Sequence, residues 1–371
     1  MGESTNRKVI VVSAVNFFEG GPLSILKECL EELNTNFANQ FRIIALISSK
    51  QYLDKKYENI ELIEYPLIRT SWIKRLKFEY YDCKEISKKL NPYLWFSLHD
   101  ITPNVFSERK VVYCHNPSPF YKATLAESKL DLTFFLFNKF YKYLYRINIS
   151  TNNFVVVQSD WMRQYFEQTF GITNVVVAYP QIKILEKTTS IFPDRKKVDK
   201  KFIFFYPAFP RVFKNFEVVL SAAMLLQETR NDFEIYITVS GNENKYAEYL
   251  YQKYKGVSCI KWLGKITREQ VFEYYQQSDC LIFPSKLETW GLPISEAIQF
   301  GKPIIAADLP YAHETSMGYE KIHFFNPTNA SHLATVMQQL MDKELVYSPN
   351  EFNRPQDPFC EDWNGLFKIL F

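Results

Sequence analysis

The sequence predicts an α/β protein of two domains, and three observations carry that expectation. A chain of 371 residues is too long for one small core and fits two α/β domains of roughly 150–200 residues each. Short apolar runs of strand length alternate with helix-length periodic segments from end to end. The stretch 281–308, LIFPSKLETWGLPISEAIQFGKPIIAAD, reads as a strand–loop–helix–strand unit. Its loop lies at the carboxyl end of a strand, where open α/β sheets bind ligands. A hydrophobic content of 47% supports full-sized cores.

Taken in order, residues 9–15 form an apolar strand. Asn16-Phe17-Phe18-Glu19-Gly20-Gly21 follows, and Pro22 opens a helix carrying Leu23, Leu26, Leu30 and Leu33. A glycine pair ahead of a helix N-terminus lets a phosphate approach the backbone. A plain tight turn is the simpler account of a lone pair. The next strand, 41–47, ends in Ser48-Ser49-Lys50 with no acidic residue for a ribose, and no G-x-G-x-x-G occurs. Residues 60–65 add a strand. Residues 72–90 read as a helix with basic flanks, Arg69, Lys74, Arg75 and Lys77 beside Trp72, Phe78 and Tyr80, either a solvated face or a membrane-facing one.

Strands at 94–98 and 111–113 end in His99-Asp100 and Cys114-His115-Asn116-Pro117. A histidine at a strand end either lines a ligand site or satisfies the core. Residues 131–149 form an aromatic helix with Lys139, Lys142 and Arg146 interspersed. Most of its rings are assigned to the core, with snorkelling lysines, and its basic edge to a membrane interface. A strand at 154–157, a helix capped by Ser159 and stopped by Gly171, and a strand at 175–177 close the first half. The polar stretch 183–201 is the expected linker.

The second half opens with a strand, 202–205, and a proline-rich loop holding Arg211 and Lys214 before an apolar helix that ends at Gln227. Cations at a helix start after a buried strand suit a diphosphate; surface charge is the alternative. Strands at 234–239 and 257–263 precede Thr267-Arg268-Glu269-Gln270, a capping box. The central stretch then supplies a buried strand, 280–283, and a helix with Pro293 at the first helical position. Gly301 is its stop and 303–307 the next strand.

Glu288 and Glu296, eight residues apart, frame the loop. Alone, Glu296 is an acidic residue welcome in a first helical turn, and Glu288 is a solvated loop charge. Together, with the amides of Gly291 and Leu292 between them, they make an anion site with a carboxylate ready for hydroxyls. The ligand suggested is an anion carrying a polyol, such as a sugar nucleotide. A strand at 322–325, a helix at 331–343 and a tail with Trp363, Leu366, Phe367 and Leu370 at helical spacing complete the chain.

Composition removes several function classes. The six cysteines are scattered with no C-x-x-C spacing, which reads as reduced core thiols in a cytoplasmic protein. MGESTNRK holds no apolar signal region, and no apolar run reaches the roughly 18 residues that span a bilayer. Residues 1–185 carry 23 Lys/Arg against 18 Asp/Glu, a balance of +5, and residues 186–371 carry 21 against 23, a balance of −2. That excess argues against nucleic acid as the partner and for an anionic surface near the first domain. No D-x-D, zinc spacing, G-x-S-x-G or G-x-x-x-x-G-K-[ST] occurs, so no metal is expected.

The E-x7-E pattern, with GLPISEA and then GKPIIAAD, resembles the retaining GT-B glycosyltransferases of family 4, glycosyltransferase group 1. The resemblance implies a GT-B fold: two Rossmann-like domains facing across a cleft, at 1–185 and 200–355, and a C-terminal helix, 356–371, returning to the first. It implies a nucleotide diphosphate sugar as donor, with no separate cofactor, and a glycan or lipid-linked glycan acceptor in bacterial surface polysaccharide synthesis. It assigns Glu296 to the ribose, Glu288 and His115 to the donor sugar, and Lys214 and Arg211 to the diphosphate. Gly20, Gly21, Gly291 and Leu292 are assigned to the donor through their backbones. The family's usual Gly-Arg is missing here: Phe209 stands at the Arg position, and Arg211 is two residues away. The Tyr113-Cys114-His115-Asn116-Pro117 form is similar to that of mannosyl- and rhamnosyltransferases, which points to GDP-mannose or a similar hexose donor. The expected location is the cytoplasm, with peripheral contact on the inner face of the membrane. Rival expectations are an inactive sugar-nucleotide-binding scaffold subunit and an epimerase or phosphorylase on the same fold.

Overall fold

The computed structural model describes residues 7–181, 201–351 and 353–371. The expected linker lies outside them apart from Lys201, as do the first six residues read for a signal segment. In chain order the elements are β1 (Lys8–Ala14), α1 (Gly20–Glu32), β2 (Phe41–Ile47), β3 (Ile60–Glu64), α2 (Trp72–Lys77), α3 (Cys83–Leu90), β4 (Leu94–Ser97) and β5 (Arg109–Cys114). Next come α4 (Leu125–Leu130), α5 (Leu132–Arg146), β6 (Phe154–Val157), α6 (Asp160–Phe170), β7 (Val175–Ala178), β8 (Phe202–Tyr206), α7 (Phe216–Gln227) and β9 (Phe233–Ile237). Then follow α8 (Lys245–Tyr254), β10 (Ile260–Trp262), α9 (Arg268–Gln277), β11 (Cys280–Phe283), α10 (Leu292–Gln299) and β12 (Ile304–Ala307). The chain ends with α11 (Pro310–Thr315), β13 (Ile322–Phe325), α12 (Ala330–Met341), β14 (Phe359–Cys360) and α13 (Trp363–Leu370).

The chain divides into two compact units, one of Met1–Pro119, Phe140–Gln181 and Pro355–Phe371, the other of Phe120–Lys139 and Ile182–Arg354. Each is built on one parallel sheet. In the first unit the strand order is β14-β7-β6-β5-β4-β1-β2-β3. Val11–Val12 of β1 and all of β4 are buried, as strands covered on both faces must be. Strand order reverses at β1, so the loop after it opens at a switch point of the sheet.

The tail builds the edge of this unit. Cys360 lies in register with Ala178, and α13 buries Trp363, Leu366, Phe367 and Leu370 in the core that also holds Leu26 and Leu30 of α1. At about 1.5–3 kcal/mol per buried large apolar side chain, these four hold the C-terminus firmly to its unit. The short strand β14 was not legible in the sequence, because Phe359 and Cys360 form too brief a run to show a period.

The second unit has the order β10-β9-β8-β11-β12-β13, again all parallel. Here the switch point lies between β8 and β11, so the loops after those two strands are neighbours. The domain boundary drawn at 1–185 differs from this division, because Phe120–Lys139 groups with the second unit. Other local expectations change as well. The strand expected at 257–263 shortens to β10, since Val257 turns back to the carbonyl of Tyr254. Ser159 sits at the N-cap of α6 without making the capping bond. The helix expected to open at Pro22 starts two residues earlier, so the glycine pair forms its first turn.

Candidate functional site

The central loop of the second unit runs from the end of β11 into α10. Gly291 stands at the N-cap with φ +91°, and a Cβ there would meet the rings of Phe283 and Tyr311 at 3.3 Å. Only glycine meets both demands. α10 begins at Leu292, so Pro293 is its second residue, still within the turn where no amide bond is lost. The loop is braced from several sides. Tyr311 donates to the Ser285 carbonyl at 2.7 Å, Thr315 donates to the Trp290 carbonyl, and the Trp290 indole donates to Ser295 at 3.0 Å. Asn215, in the left-handed region at φ +56°, donates to the carbonyls of Pro284 and Pro327. It thereby ties the loop after β8 to the loop after β11.

Across that tie the two loops present opposite charges. Lys214 ends the tight turn Val212–Lys214 and forms an ion pair with Glu288; both side chains are largely covered. Arg211, at the start of the same turn, points to Asp131 at 3.1 Å. Lys286 donates its backbone amide to the Phe213 carbonyl at 2.7 Å, and its ammonium lies 3.8 Å from Glu127. Lys214, Arg211, Glu288, Gly291 and Leu292 therefore gather around one switch point.

Glu296 is only 4% exposed and sits one turn into α10 rather than in its first turn. Helix-dipole complementarity alone thus fails to account for it. Burial pushes its carboxyl up, while Arg268 and the Tyr275 hydroxyl pull it back. The Arg268 guanidinium lies 2.5 Å from the carboxylate and over the ring of Phe272. In the sequence Arg268 was legible only as part of a capping box, which does form, with Thr267 and Gln270 as partners.

The first unit holds the other sequence-derived residues. Gly20 has φ +64°, and a Cβ at Gly20 or Gly21 would meet nothing within 4 Å, so packing does not demand glycine at either position. Phe17, from the same loop, packs edge-on against His115 at 5.4 Å between ring centres. The stretch after β5 is organised by Asp100, which adopts φ +69°. Its carboxylate accepts from the amides of His115 and Asn116 at 2.8 and 3.1 Å and from the Tyr145 hydroxyl at 2.9 Å, and His115 Nδ1 lies 3.5 Å away. Sequence reasoning passed over Asp100; its adjacency to His99 at a strand end was the only signal. His99 itself is fully buried between Ser13 and Glu79, and burial holds its imidazole neutral.

Residues 186–354 match the family model of glycosyl transferases group 1. Among curated proteins, the chain is 31% identical over 109 residues to the serotype-specific mannosyltransferase WbdA of Escherichia coli, which is 29% of this chain and 13% of that protein. It is 28% identical over 171 residues to the D-rhamnosyltransferase WbpZ of Pseudomonas aeruginosa, 44% of this chain and 40% of that one. The matches thus span well under half the length of either relative. Sucrose-phosphate synthase from Thermosynechococcus elongatus superposes with a TM-score of 0.65 at 15% identity, covering 91% of this chain and 90% of that one. HepE of Anabaena, solved in complex with UDP-glucose, gives 0.59 at 15% identity over 90% of each chain. At such identities the likeness is one of fold. The two parallel-sheet units are those of the GT-B glycosyltransferase fold, and the match to glycosyl transferases group 1 covers 186–354, just under half of the chain.

Proposed function

We propose that the protein is a metal-independent, retaining glycosyltransferase. It moves a hexose from a nucleotide diphosphate donor to a glycan or lipid-linked glycan in bacterial surface polysaccharide synthesis. The observation that carries the reading is the Lys214–Glu288 pair at the switch point of the second sheet. A cation beside the loop that opens α10 suits a leaving diphosphate, and a carboxylate in that loop suits sugar hydroxyls. Glu296, buried behind the loop, takes the ribose hydroxyls. His115 and the Gly20-Gly21 turn are assigned to the donor sugar and its phosphates by the resemblance. The mannosyl- and D-rhamnosyltransferase activities of WbdA and WbpZ support a hexose donor, with GDP-mannose as first choice. The protein works in the cytoplasm with peripheral contact on the membrane's inner face.

In this mechanism the departing diphosphate, neutralised by Lys214, accepts the acceptor's proton on the face that the acceptor attacks. No carboxylate forms a covalent sugar intermediate. A thermal-shift screen against GDP, UDP, dTDP and their sugars identifies the donor. Proton NMR of the first-formed product from an α-linked donor then reads the stereochemistry, with an α-linked product expected in excess EDTA. A β-linked product would end the retaining assignment. Activity lost in EDTA and restored by magnesium would end the metal-free one.

A further inference from the structure

Phe120–Lys139 follows β5 of the first unit in the chain, yet it groups with the second unit. Its contacts there converge on one place. Phe134 packs on Phe213 at 4.9 Å between ring centres, inside the turn Val212–Lys214. Asp131 pairs with Arg211 at 3.1 Å, and Glu127 lies 3.8 Å from Lys286. Glu127 is itself held in place, accepting from the Tyr121 hydroxyl at 2.6 Å and closing a capping box with Thr124. Two largely covered carboxylates thus meet two cations that flank Lys214.

We propose that Phe120–Lys139 is a strap whose Asp131 and Glu127 compete with the donor diphosphate for Arg211 and Lys286. This makes Lys286 a further diphosphate-binding residue and rests on the glycosyltransferase reading above. A diphosphate carries more charge and more acceptor oxygens than either carboxylate, so it can take both cations at once. Each carboxylate that yields a cation gives up an ion pair of modest strength, which keeps the exchange reversible. The Phe134–Phe213 contact then returns the strap to the same turn when the diphosphate leaves. Such a strap favours ligands with two linked phosphates over single anions, because one negative charge cannot replace two carboxylates.

Calorimetry with inorganic pyrophosphate tests the competition without needing a ribose or base site. D131N should bind pyrophosphate about threefold tighter than wild type, and D131N/E127Q up to about tenfold tighter. Equal or weaker binding by both variants would overturn the strap, since the carboxylates would then be orienting the cations rather than competing for them. Hydrogen exchange on the unaltered protein covers the case of a variant that fails to fold. Amides of 120–139 should exchange faster on addition of pyrophosphate, and unchanged or slower exchange also overturns the proposal. The same titration with GDP and UDP separates the two readings. Tighter pyrophosphate binding by the variants without any nucleoside diphosphate binding keeps the strap and removes the donor assignment.

Discussion

At the scale of single residues, the buried polar cluster under the loop after β4 couples the stability of the first unit to pH. Glu79 and His99 are fully buried, 3.3 Å apart, and Arg75 Nε stands 4.0 Å from the same carboxyl oxygen. Burial pushes the Glu79 carboxyl up to about 8, with Arg75 pulling the other way. Burial, reinforced by Arg75, drives His99 well below its usual range. The pair is therefore a neutral carboxyl facing a neutral imidazole at pH 7, rather than an ion pair. The two groups pull stability in opposite directions. His99, depressed in the fold, gives stability that is present above about pH 6.5 and lost as pH falls. Glu79, raised in the fold, gives stability that is fully present below about pH 4.5 and lost as pH rises towards 8. Between pH 6.5 and 8 only Glu79 contributes, at about 1.4 kcal/mol per pH unit. Wild type should thus lose roughly 1–2 kcal/mol of unfolding free energy across that window, while Glu79→Gln stays level. Denaturant unfolding at three pH values checks this, and parallel slopes for the two proteins would clear Glu79 of the effect.

At the scale of elements, Gly291 and Gly301 bound α10 and separate two kinds of constraint. Both have positive φ, +91° and +64°, but a Cβ at Gly291 meets two rings while one at Gly301 meets nothing within 4 Å. Gly301→Ala should cost about 1 kcal/mol from the backbone alone. Gly291→Ala should cost more, up to about 3 kcal/mol, and shift the loop that carries Glu288. Equal losses in denaturant unfolding would show that the rings give way freely.

The same helix marks what the sequence made legible. Its proline, its closing glycine and the buried strands on either side are local signals, and they put Glu288, Gly291 and Glu296 around one loop. Lys214 could be paired with that loop only through the resemblance, since 74 residues separate it from Glu288. Asp131, Asn215 and Arg268 reach the site through tertiary contacts that leave no local trace. Strand β14 and the assignment of Phe120–Lys139 were hidden for the same reason: what fixes them is a partner far away in the chain.

At the scale of the whole molecule, the charge imbalance between the halves acquires a surface. Among the described residues no helix is long and apolar enough to cross a membrane. The turn before α2 and α2 itself instead expose Leu67, Trp72 and Ile73, the last at 79%, beside Arg69, Lys74 and Lys77. Trp72 packs edge-on against Tyr141, so α2 adjoins the part of α5 that belongs to the same unit. There Phe140 and Tyr143 are exposed with Lys142 over the Tyr143 ring, whereas Tyr141 and Tyr145 are buried. Of the seven rings in 131–149 only Phe140 and Tyr143 are exposed, in line with the assignment of most of them to the core. Arg69 also lies over the ring of Phe18, which links this surface to the loop leading into Gly20 and Gly21. Apolar side chains among cations suit an interface with anionic lipid, where each Lys or Arg adds about 1 kcal/mol. Lys74→Ala/Lys77→Ala should therefore weaken binding to vesicles containing phosphatidylserine about thirtyfold, and wild-type binding should fall as salt rises. Vesicles of phosphatidylcholine alone should bind weakly with either protein. Reversal of Lys139, Lys142 and Arg146 to Glu tests the α5 side in the same co-sedimentation assay. If both sets of variants bind anionic vesicles as wild type does, the surface around Trp72 does not face a membrane.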